Sequence, residues 1–119
     1  MVNNKNDDAL NKADAICKIL VAHKGEDVLR LCVKDKSDVA DYYVIASGRS
    51  VIHAKALTER VEEEMEKQGV FATRKDGVRE GRWAVLDYGD VLVNVFSDEA
   101  RLFYHLENLW GDDKNTVKY

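Results

Sequence analysis

The 119-residue chain contains no proline, only 7 glycines and only two cysteines. So little Pro and Gly argues against a linker, a low-complexity tract or a second module. Cys17 and Cys32 show no metal-ligand spacing, and both are expected to be small buried apolar residues in a reducing cytoplasm. No apolar run approaches the length that spans a membrane, and the polar start 1–8 does not resemble a signal peptide. We therefore expect a cytoplasmic protein.

Basic charge is also scarce. The chain has 18 Lys and Arg against 22 Asp and Glu, which gives a net charge of −4 and a pI near 5.4. A protein that binds nucleic acid mainly through phosphates usually carries a basic patch or has a high pI. We therefore expect a basic protein surface as the partner rather than bare RNA, and no direct sequence-specific binding of nucleic acid.

The length and composition fit one domain. A chain of 119 residues can bury a single core without disulfides or metals. Its 45% hydrophobic and 34% charged residues are typical of a soluble globular protein. We expect a single domain over residues 1–119, with an ordered core at about 7–110 and a polar, frayed tail at 111–119.

Hydrophobic periodicity predicts the element order αββα(β)ββα. Helices are predicted at about 7–23, 50–69 and 98–110, and strands at 28–33, 42–47, 83–88 and 91–96, with a further short strand suggested at 70–73. Gly25 is expected to end the first helix and Ser50 to cap the second, and 74–82 is expected to be a mobile polar loop. The order is typical of an α/β (α+β) fold, a mixed sheet with helices packed on it.

The strands on either side of Gly89-Asp90 are the most informative feature. Gly at the first of two central positions predicts a two-residue type II′ hairpin, in which Tyr88 pairs with Val91. Because side chains alternate along strands, each face of the hairpin has its own set of residues. The face expected to be core under the helices carries Ala84, Leu86, Tyr88, Val91, Val93 and Val95. The second face carries Trp83, Val85, Asp87, Leu92, Asn94 and Phe96.

The second face mixes large apolar side chains with two polar ones. A buried Asp87 carboxylate without a partner would cost several kcal/mol, so we expect this face to meet water in the free protein. Trp83 and Phe96 would then form part of an exposed apolar patch, which usually marks a binding surface. The alternative, which the residues leave open, is that helices cover both sheet faces and Trp83 is core.

Patterns that would indicate catalysis are weak. The turn Ser47-Gly48-Arg49-Ser50, between a strand and a helix, is similar to the glycine-serine motif of nucleotidyltransferases. That chemistry needs carboxylates for a divalent metal, usually two on the strand after the helix, and 70–73 contains no acid. None of the three histidines has a metal-ligand spacing. We expect no catalytic residue, metal or cofactor, with a small nucleotidyltransferase as the alternative.

Three ordered segments resemble one family. Residues 41–50, DYYVIASGRS, resemble its segment "aDyfVIatGxS", and residues 83–91, WAVLDYGDV, resemble its segment "WvllDyGdvvVH". Residues 99–110, EARLFYHLENLW, resemble its closing "R-x-x-Y-x-L-E-x-L-W". From roughly the first helix to Trp110, the chain thus resembles the ribosomal silencing factors, also called Iojap-like proteins.

This resemblance implies a degenerate nucleotidyltransferase-like fold, in agreement with a glycine-serine turn that lacks its acids. It implies a protein that is not an enzyme. It also implies binding to large-subunit ribosomal protein fourteen at the subunit interface, which obstructs joining of the small subunit and lowers translation when nutrients are scarce. Some members of the family form homodimers when free.

Three positions depart from the family's pattern. Asn94 stands where the family has a His, Ile52 where it often has an Arg, and Asp76-Gly77 where it has Glu-Gly. Asn94 lies on the proposed patch, where it alters the detailed contacts.

We expect the patch to be the contact with the ribosomal protein. Its apolar centre would consist of Trp83, Val85, Leu92 and Phe96. Its polar rim would consist of Asp87, Asp90 and Asn94, which would meet basic groups of the partner. A third alternative is a dimerisation module that uses the same patch.

Overall fold

A six-stranded mixed sheet with helices on one face forms the fold. The computed structural model describes residues 5–35, 38, 40–98 and 115–119. Within them the helices are α1 (Lys5–Ala22) and α2 (Val51–Lys67), and the strands are β1 (Glu26–Cys32), β2 (Tyr42–Gly48), β3 (Arg74–Asp76), β4 (Trp83–Asp87), β5 (Val91–Ser97) and β6 (Thr116–Lys118). The strand order is β3-β4-β5-β2-β1-β6. The predicted mixed α/β architecture is confirmed.

The two central strands, β2 and β5, run parallel, and every other neighbouring pair is antiparallel. Their register runs from Tyr42 opposite Val91 to Gly48 opposite Ser97. All of β2 is buried, and so is all of β5 except Leu92. Near-continuous runs of Val, Ile and aromatic residues suit strands that are buried on both faces.

The helices cover the sheet face that the hairpin pattern predicts to be core. On α2, Leu57, Val61 and Met65 are each at most 1% exposed and pack with β2, β4 and β5. Removing each such side chain from water contributes about 1.5–3 kcal/mol. From α1, Cys17 joins the same cluster and is fully buried, as predicted, whereas Cys32 is only half-buried.

The end of α1 differs in detail from the prediction. Lys24 has a φ of 69°, and its N–H donates to the carbonyl of Val21 at 3.0 Å while the N–H of Gly25 donates to Leu20 at 2.7 Å. These two bonds make a Schellman motif with Lys24, not Gly25, in the left-handed position. Gly25 is needed because a Cβ there would lie 2.9 Å from the Leu20 carbonyl oxygen.

The start of α2 is capped as predicted. The Ser50 Oγ accepts a hydrogen bond from the His53 N–H at 3.0 Å. The His53 Nδ1 accepts from the Arg49 N–H at 3.0 Å, so the ring hydrogen lies on Nε2, which donates to the His23 carbonyl at 3.2 Å. A Cβ on Gly48 would lie 2.6 Å from the Ala54 nitrogen. The turn therefore requires Gly48, and the histidine joins the end of α1 to the start of α2.

One edge of the sheet lies where the sequence predicts a loop. The suggested strand at 70–73 is wrong. The strand in this region is β3, inside the predicted loop 74–82, and it pairs with β4. All three of its side chains are exposed. An edge strand made only of charged residues has no alternation that would reveal it.

The other edge also departs from the prediction. The tail was expected to be frayed, yet β6 pairs antiparallel with β1, and the Tyr119 N–H donates to the Val28 carbonyl at 2.9 Å. Three residues far along the chain complete the sheet, which no local pattern could show. The predicted helix at 98–110 lies outside the described residues apart from Asp98, and the single-domain assignment stays a prediction.

Polar contacts hold the end of the chain against α1 and β1. The Tyr119 hydroxyl donates to Asp14 Oδ1 and accepts from Arg30 Nη1 at 2.8 Å. The Arg30 guanidinium also lies 5.8 Å from the centre of the Tyr119 ring. The pKa of the Asp14 carboxyl is lowered, first by the Tyr119 hydrogen bond and next by that of Lys18.

Tyr119→Phe should flatten the acid dependence of stability. A carboxyl whose folded-state pKa is lowered contributes stability above its unfolded-state pKa, and this contribution is lost as the pH falls through the folded value. Without the Tyr119 hydroxyl, the pKa of Asp14 returns toward its ordinary value. Between about pH 5 and pH 2, the free energy of unfolding should therefore fall less in the variant than in the parent. Urea unfolding at stepped pH measures this, and parallel curves would refute the coupling.

The hydroxyl of Tyr88 is a buried group without a described partner. The residue is 6% exposed, and its oxygen makes no hydrogen bond in the part of the chain that the structure describes. Burial, with smaller effects from Glu62 and Glu66, raises the pKa of Tyr88 to about 12. The hydroxyl is therefore neutral near pH 7, and its desolvation is uncompensated.

Tyr88→Phe should leave the free energy of unfolding unchanged or raise it by about 1 kcal/mol, because the ring stays and the unpaired hydroxyl goes. Leu86→Ala, on the same face, is the control and should lose about 2–5 kcal/mol. Urea unfolding compares them. A loss above about 1 kcal/mol in Tyr88→Phe would mean that the hydroxyl has a stabilising partner.

Candidate protein-binding surface

The hairpin forms with the predicted register. Trp83 lies opposite Phe96, and Asp87 lies opposite Leu92. At the tip, the Tyr88 N–H donates to the Val91 carbonyl at 2.9 Å. Gly89 has a φ of 89°, while Asp90 has no positive φ, as a type II′ turn requires. The assignment of side chains to two faces is therefore confirmed.

The second face divides into a buried and a half-exposed part. Phe96 is 0% exposed and Asn94 is 1% exposed, so the expectation that they meet water is wrong. Both lie over the sheet centre, opposite Ser47 and Ile45 of β2. Phe96 belongs to a second core cluster, completed by Leu29, Leu31, Val33, Ala40, Tyr43 and Ile45. These two residues are unavailable as direct contacts in this conformation.

The half-exposed part consists of Trp83, Val85, Asp87 and Leu92, which we call the hairpin surface. It lies toward the β3 edge of the sheet, where fewer strands flank it. Trp83 and Leu92 pack against the second core cluster and keep part of their surface exposed. Neither interpretation of Trp83 is therefore complete, because the residue is partly core and partly surface.

Asn94 positions the indole of Trp83. The Trp83 Nε1–H donates to Asn94 Oδ1 at 3.0 Å, and Asn94 Nδ2 donates to the Leu92 carbonyl at 3.4 Å. The Trp83 and Phe96 rings stack with centroids 5.2 Å apart and planes 28° apart. Asn94 and Phe96, both predicted as contact residues, thus hold the Trp83 side chain in place. The paired side chains also explain how a polar Asn is tolerated in a buried position.

A cleft of about 390 Å³ borders the hairpin surface. It is lined by Arg74, Lys75, Asp76, Val85, Asp87 and Leu92. β3 supplies the first three of these residues, which the sequence did not identify because β3 itself was not predicted. Arg74 lies opposite Asp87 and Asp76 opposite Val85, so Arg74 and Asp76 share the hairpin surface's face. Lys75 faces α2, where it pairs with Glu62 at 3.1 Å.

Asp87 is half-buried at the end of β4. Its Oδ1 accepts a hydrogen bond from the Gly89 N–H at 2.8 Å, which satisfies one oxygen within the hairpin turn. The carboxylate lines the cleft beside Val85 and Leu92. It therefore places a negative charge next to apolar side chains, a combination that suits the aliphatic stem and charged head of a lysine or arginine.

Asp90 lies apart from the other predicted site residues. Its Oδ1 pairs with Lys12 of α1 at 2.6 Å, on the helix side of the sheet. Its carbonyl accepts hydrogen bonds from the Asp41 and Tyr42 N–H groups at 2.8 and 3.1 Å. Asp90 thus joins the hairpin tip to α1 and to the start of β2, and the structure does not bring it into the rim of the hairpin surface.

The glycine-serine turn has no pair of acids on the strand that follows α2 close to it. On the strand that follows α2, β3, the one acid is Asp76, and β3 is three strands away from β2. At about 4.8 Å per strand this amounts to ~14 Å. Among the residues described, no group of three His, Cys, Asp or Glu could hold a metal ion. The structure therefore does not bring together the residues that nucleotidyl transfer needs.

A helix-backed mixed sheet with a half-exposed hairpin surface defines a small α/β domain with a candidate binding face. The family model described as "Ribosomal silencing factor during starvation" matches residues 6–118. The ribosomal silencing factor RsfS of Bacillus subtilis is 37% identical over 89 residues, which are 75% of each chain. The chain belongs to the ribosomal silencing factor (RsfS) family.

Solved structures agree with this assignment. A crystal structure of a protein from Chromobacterium violaceum superposes with a TM-score of 0.83 at 27% identity and covers 88% of both chains. One from Bacillus halodurans gives a TM-score of 0.75 at 30% identity and covers 94% of this chain and 98% of that one. Within the described residues, no helix is long and apolar enough to cross a membrane.

Asn94→Leu and Trp83→Phe should not have additive effects on stability. Each substitution removes one end of the same hydrogen bond, so a double-mutant cycle should give a coupling energy of about 1 kcal/mol. Urea unfolding of the two single variants and the double variant measures it. Asn94→Leu combined with Phe71→Ala is the control, because Phe71 is 62% exposed, and this pair should be additive. Additivity in the first pair would mean that Asn94 does not hold the indole.

Proposed function

We propose that this chain silences the large ribosomal subunit by binding its protein fourteen at the subunit interface, where it obstructs joining of the small subunit and so represses translation. Membership of a family described as silencing ribosomes during starvation supports this proposal. A steric block requires no reaction, only a stable complex in the correct place. The 13.5 kDa domain itself is the obstacle.

The observation that carries the proposal is the hairpin surface. Trp83 is half-exposed, and its side chain is held by Asn94 and Phe96 of the adjacent strand. A rigid, half-exposed Trp loses little conformational freedom on binding and is a favoured hot-spot residue. Val85 and Leu92 extend the apolar area beside it. A stable interface buries about 800 Å² on each partner, so these residues form its centre and not its whole extent.

The overall charge supports a basic partner. Asp76 and Asp87 line the cleft together with Arg74 and Lys75, so the cleft itself is balanced, and the chain carries a net charge of −4. An acidic protein is steered toward a basic ribosomal protein, which raises the association rate more than the affinity. The apolar anchors then determine how long the complex lasts. The contribution of charge to association should therefore decline at high salt.

Trp83→Ala should weaken binding to the large subunit by at least ~2 kcal/mol, roughly 30-fold in Kd, if Trp83 is the hot spot. Sedimentation with separated ribosomal subunits measures this, and the parent should co-migrate with the large subunit alone. Val85→Asp should also weaken binding, because it places a second acid on the apolar centre.

The controls separate loss of contact from loss of fold. Val21→Ala changes an exposed apolar residue on α1, against the other face of the sheet, and should bind like the parent. Folded Trp83→Ala and Val85→Asp with undiminished binding would remove the hairpin surface from the contact. Light scattering tests the alternative of a dimer formed through the same surface. A dimer that persists beside the ribosomal protein would favour a dimerisation module.

A further inference from the structure

A small cationic cleft lies at the corner where α1 ends and α2 begins. It has a volume of about 330 Å³ and is lined by Lys24, Arg49 and His53. We call these three residues the basic corner. It contrasts with the chain as a whole, which is acidic, and it takes no part in the hairpin surface.

The corner is held in place by bonds within the fold. The Schellman motif places Lys24, and the two ring nitrogens of His53 are both engaged, one by the Arg49 N–H and one by the His23 carbonyl. These two bonds fix the orientation of the imidazole in the lining of the cleft. The positions from which Lys24 and Arg49 extend are set by backbone geometry.

The charges of the corner are largely uncompensated. Lys24 makes no ion pair within the described ranges of the chain. Among the residues described, Arg49 makes one ion pair, with Glu26, whose Oε2 lies 3.9 Å from Arg49 Nε. The Arg49 side chain is 64% exposed. An arginine in this state can turn its fork of N–H donors to an incoming anion.

Lys24 occupies a backbone position that favours glycine. Its φ of 69° is the left-handed conformation in which glycine has no steric cost and other residues lose about 1 kcal/mol or more. A lysine at this position gives up some stability, although its charge also suits the end of a helix.

The basic corner and Trp83 lie toward the same end of the sheet. Arg49 directly follows the end of β2, where Gly48 lies opposite Ser97. Trp83 lies opposite Phe96, the residue before Ser97. Trp83 is on the face opposite the helices, so a partner that contacts both Trp83 and Arg49 must extend around this end of the sheet.

We propose that Lys24 and Arg49 bind the phosphate backbone of large-subunit ribosomal RNA next to the protein contact. This inference rests on the proposed function, which places the chain on a surface where RNA phosphates flank the ribosomal protein. The chain as a whole repels RNA, so attraction must come from a local cluster within a Debye length, about 8 Å at physiological salt. Contacts to the backbone alone would carry no sequence preference.

The test is the salt dependence of large-subunit binding by the full chain. Lys24→Gly with Arg49→Gln removes both cations, while glycine suits the backbone at position 24 and Gln keeps the N–H bonded to His53. Arg60→Gln with Lys67→Gln makes the same charge change on exposed residues of α2 and is the matched control. Urea unfolding should show that neither double variant is destabilised.

Loss of two phosphate contacts should reduce the slope of log K against log salt by roughly 1.5, and weaken Kd roughly 30-fold at about 0.1 M salt. The control should keep the slope of the parent. Equal slopes for both double variants overturn the proposal while leaving the proposed function intact. An equal fall in slope against isolated ribosomal protein fourteen would assign the corner to an acidic protein segment instead of RNA. A parent that does not bind the large subunit overturns both.

Discussion

The parallel pairing of β2 with β5 is the interaction on which the rest of the structure depends. It brings together two strands that are separated in the chain by α2, β3 and β4. The register of this pair determines which side chains face the helices. A slip of one residue would exchange the two faces and place Phe96 and Asn94 under α2. The same pairing carries the β2–α2 turn to the end of the sheet where Trp83 lies. Both candidate contacts, the hairpin surface and the basic corner, are placed by this one register.

On the second face of the sheet, buried residues hold a half-exposed one in place. Phe96 and Asn94 are buried over the centre of the sheet, and they contact Trp83 through stacked rings and a hydrogen bond. Its N–H bond to Asn94 and its contact with Phe96 fix the orientation of the indole. At the position where the family resemblance expects a His, Asn94 supplies the acceptor oxygen for this bond. A change there therefore acts through Trp83 and not by direct contact.

Charge is distributed differently in the two proposed contacts. Asp76 and Asp87 lie beside the apolar residues of the hairpin surface together with Arg74 and Lys75, so acids and bases are balanced there. Lys24 and Arg49 lie together at the helix corner, where the charge is positive. A net charge of −4 describes neither region, because the net charge does not show where the charged residues lie.

The sequence by itself determined α1 and α2, the hairpin register and the division of Trp83–Asp87 and Val91–Phe96 into two faces, because these features depend on local periodicity and turn chemistry. It also carried the family, through three ordered segments. Only the tertiary structure decided that Phe96 and Asn94 are buried, that Asp90 pairs with Lys12, and that the edge strands β3 and β6 exist. Each of these depends on which residues distant in the chain become neighbours. Charged edge strands have no pattern of their own, and burial is a property of the whole sheet, not of one strand.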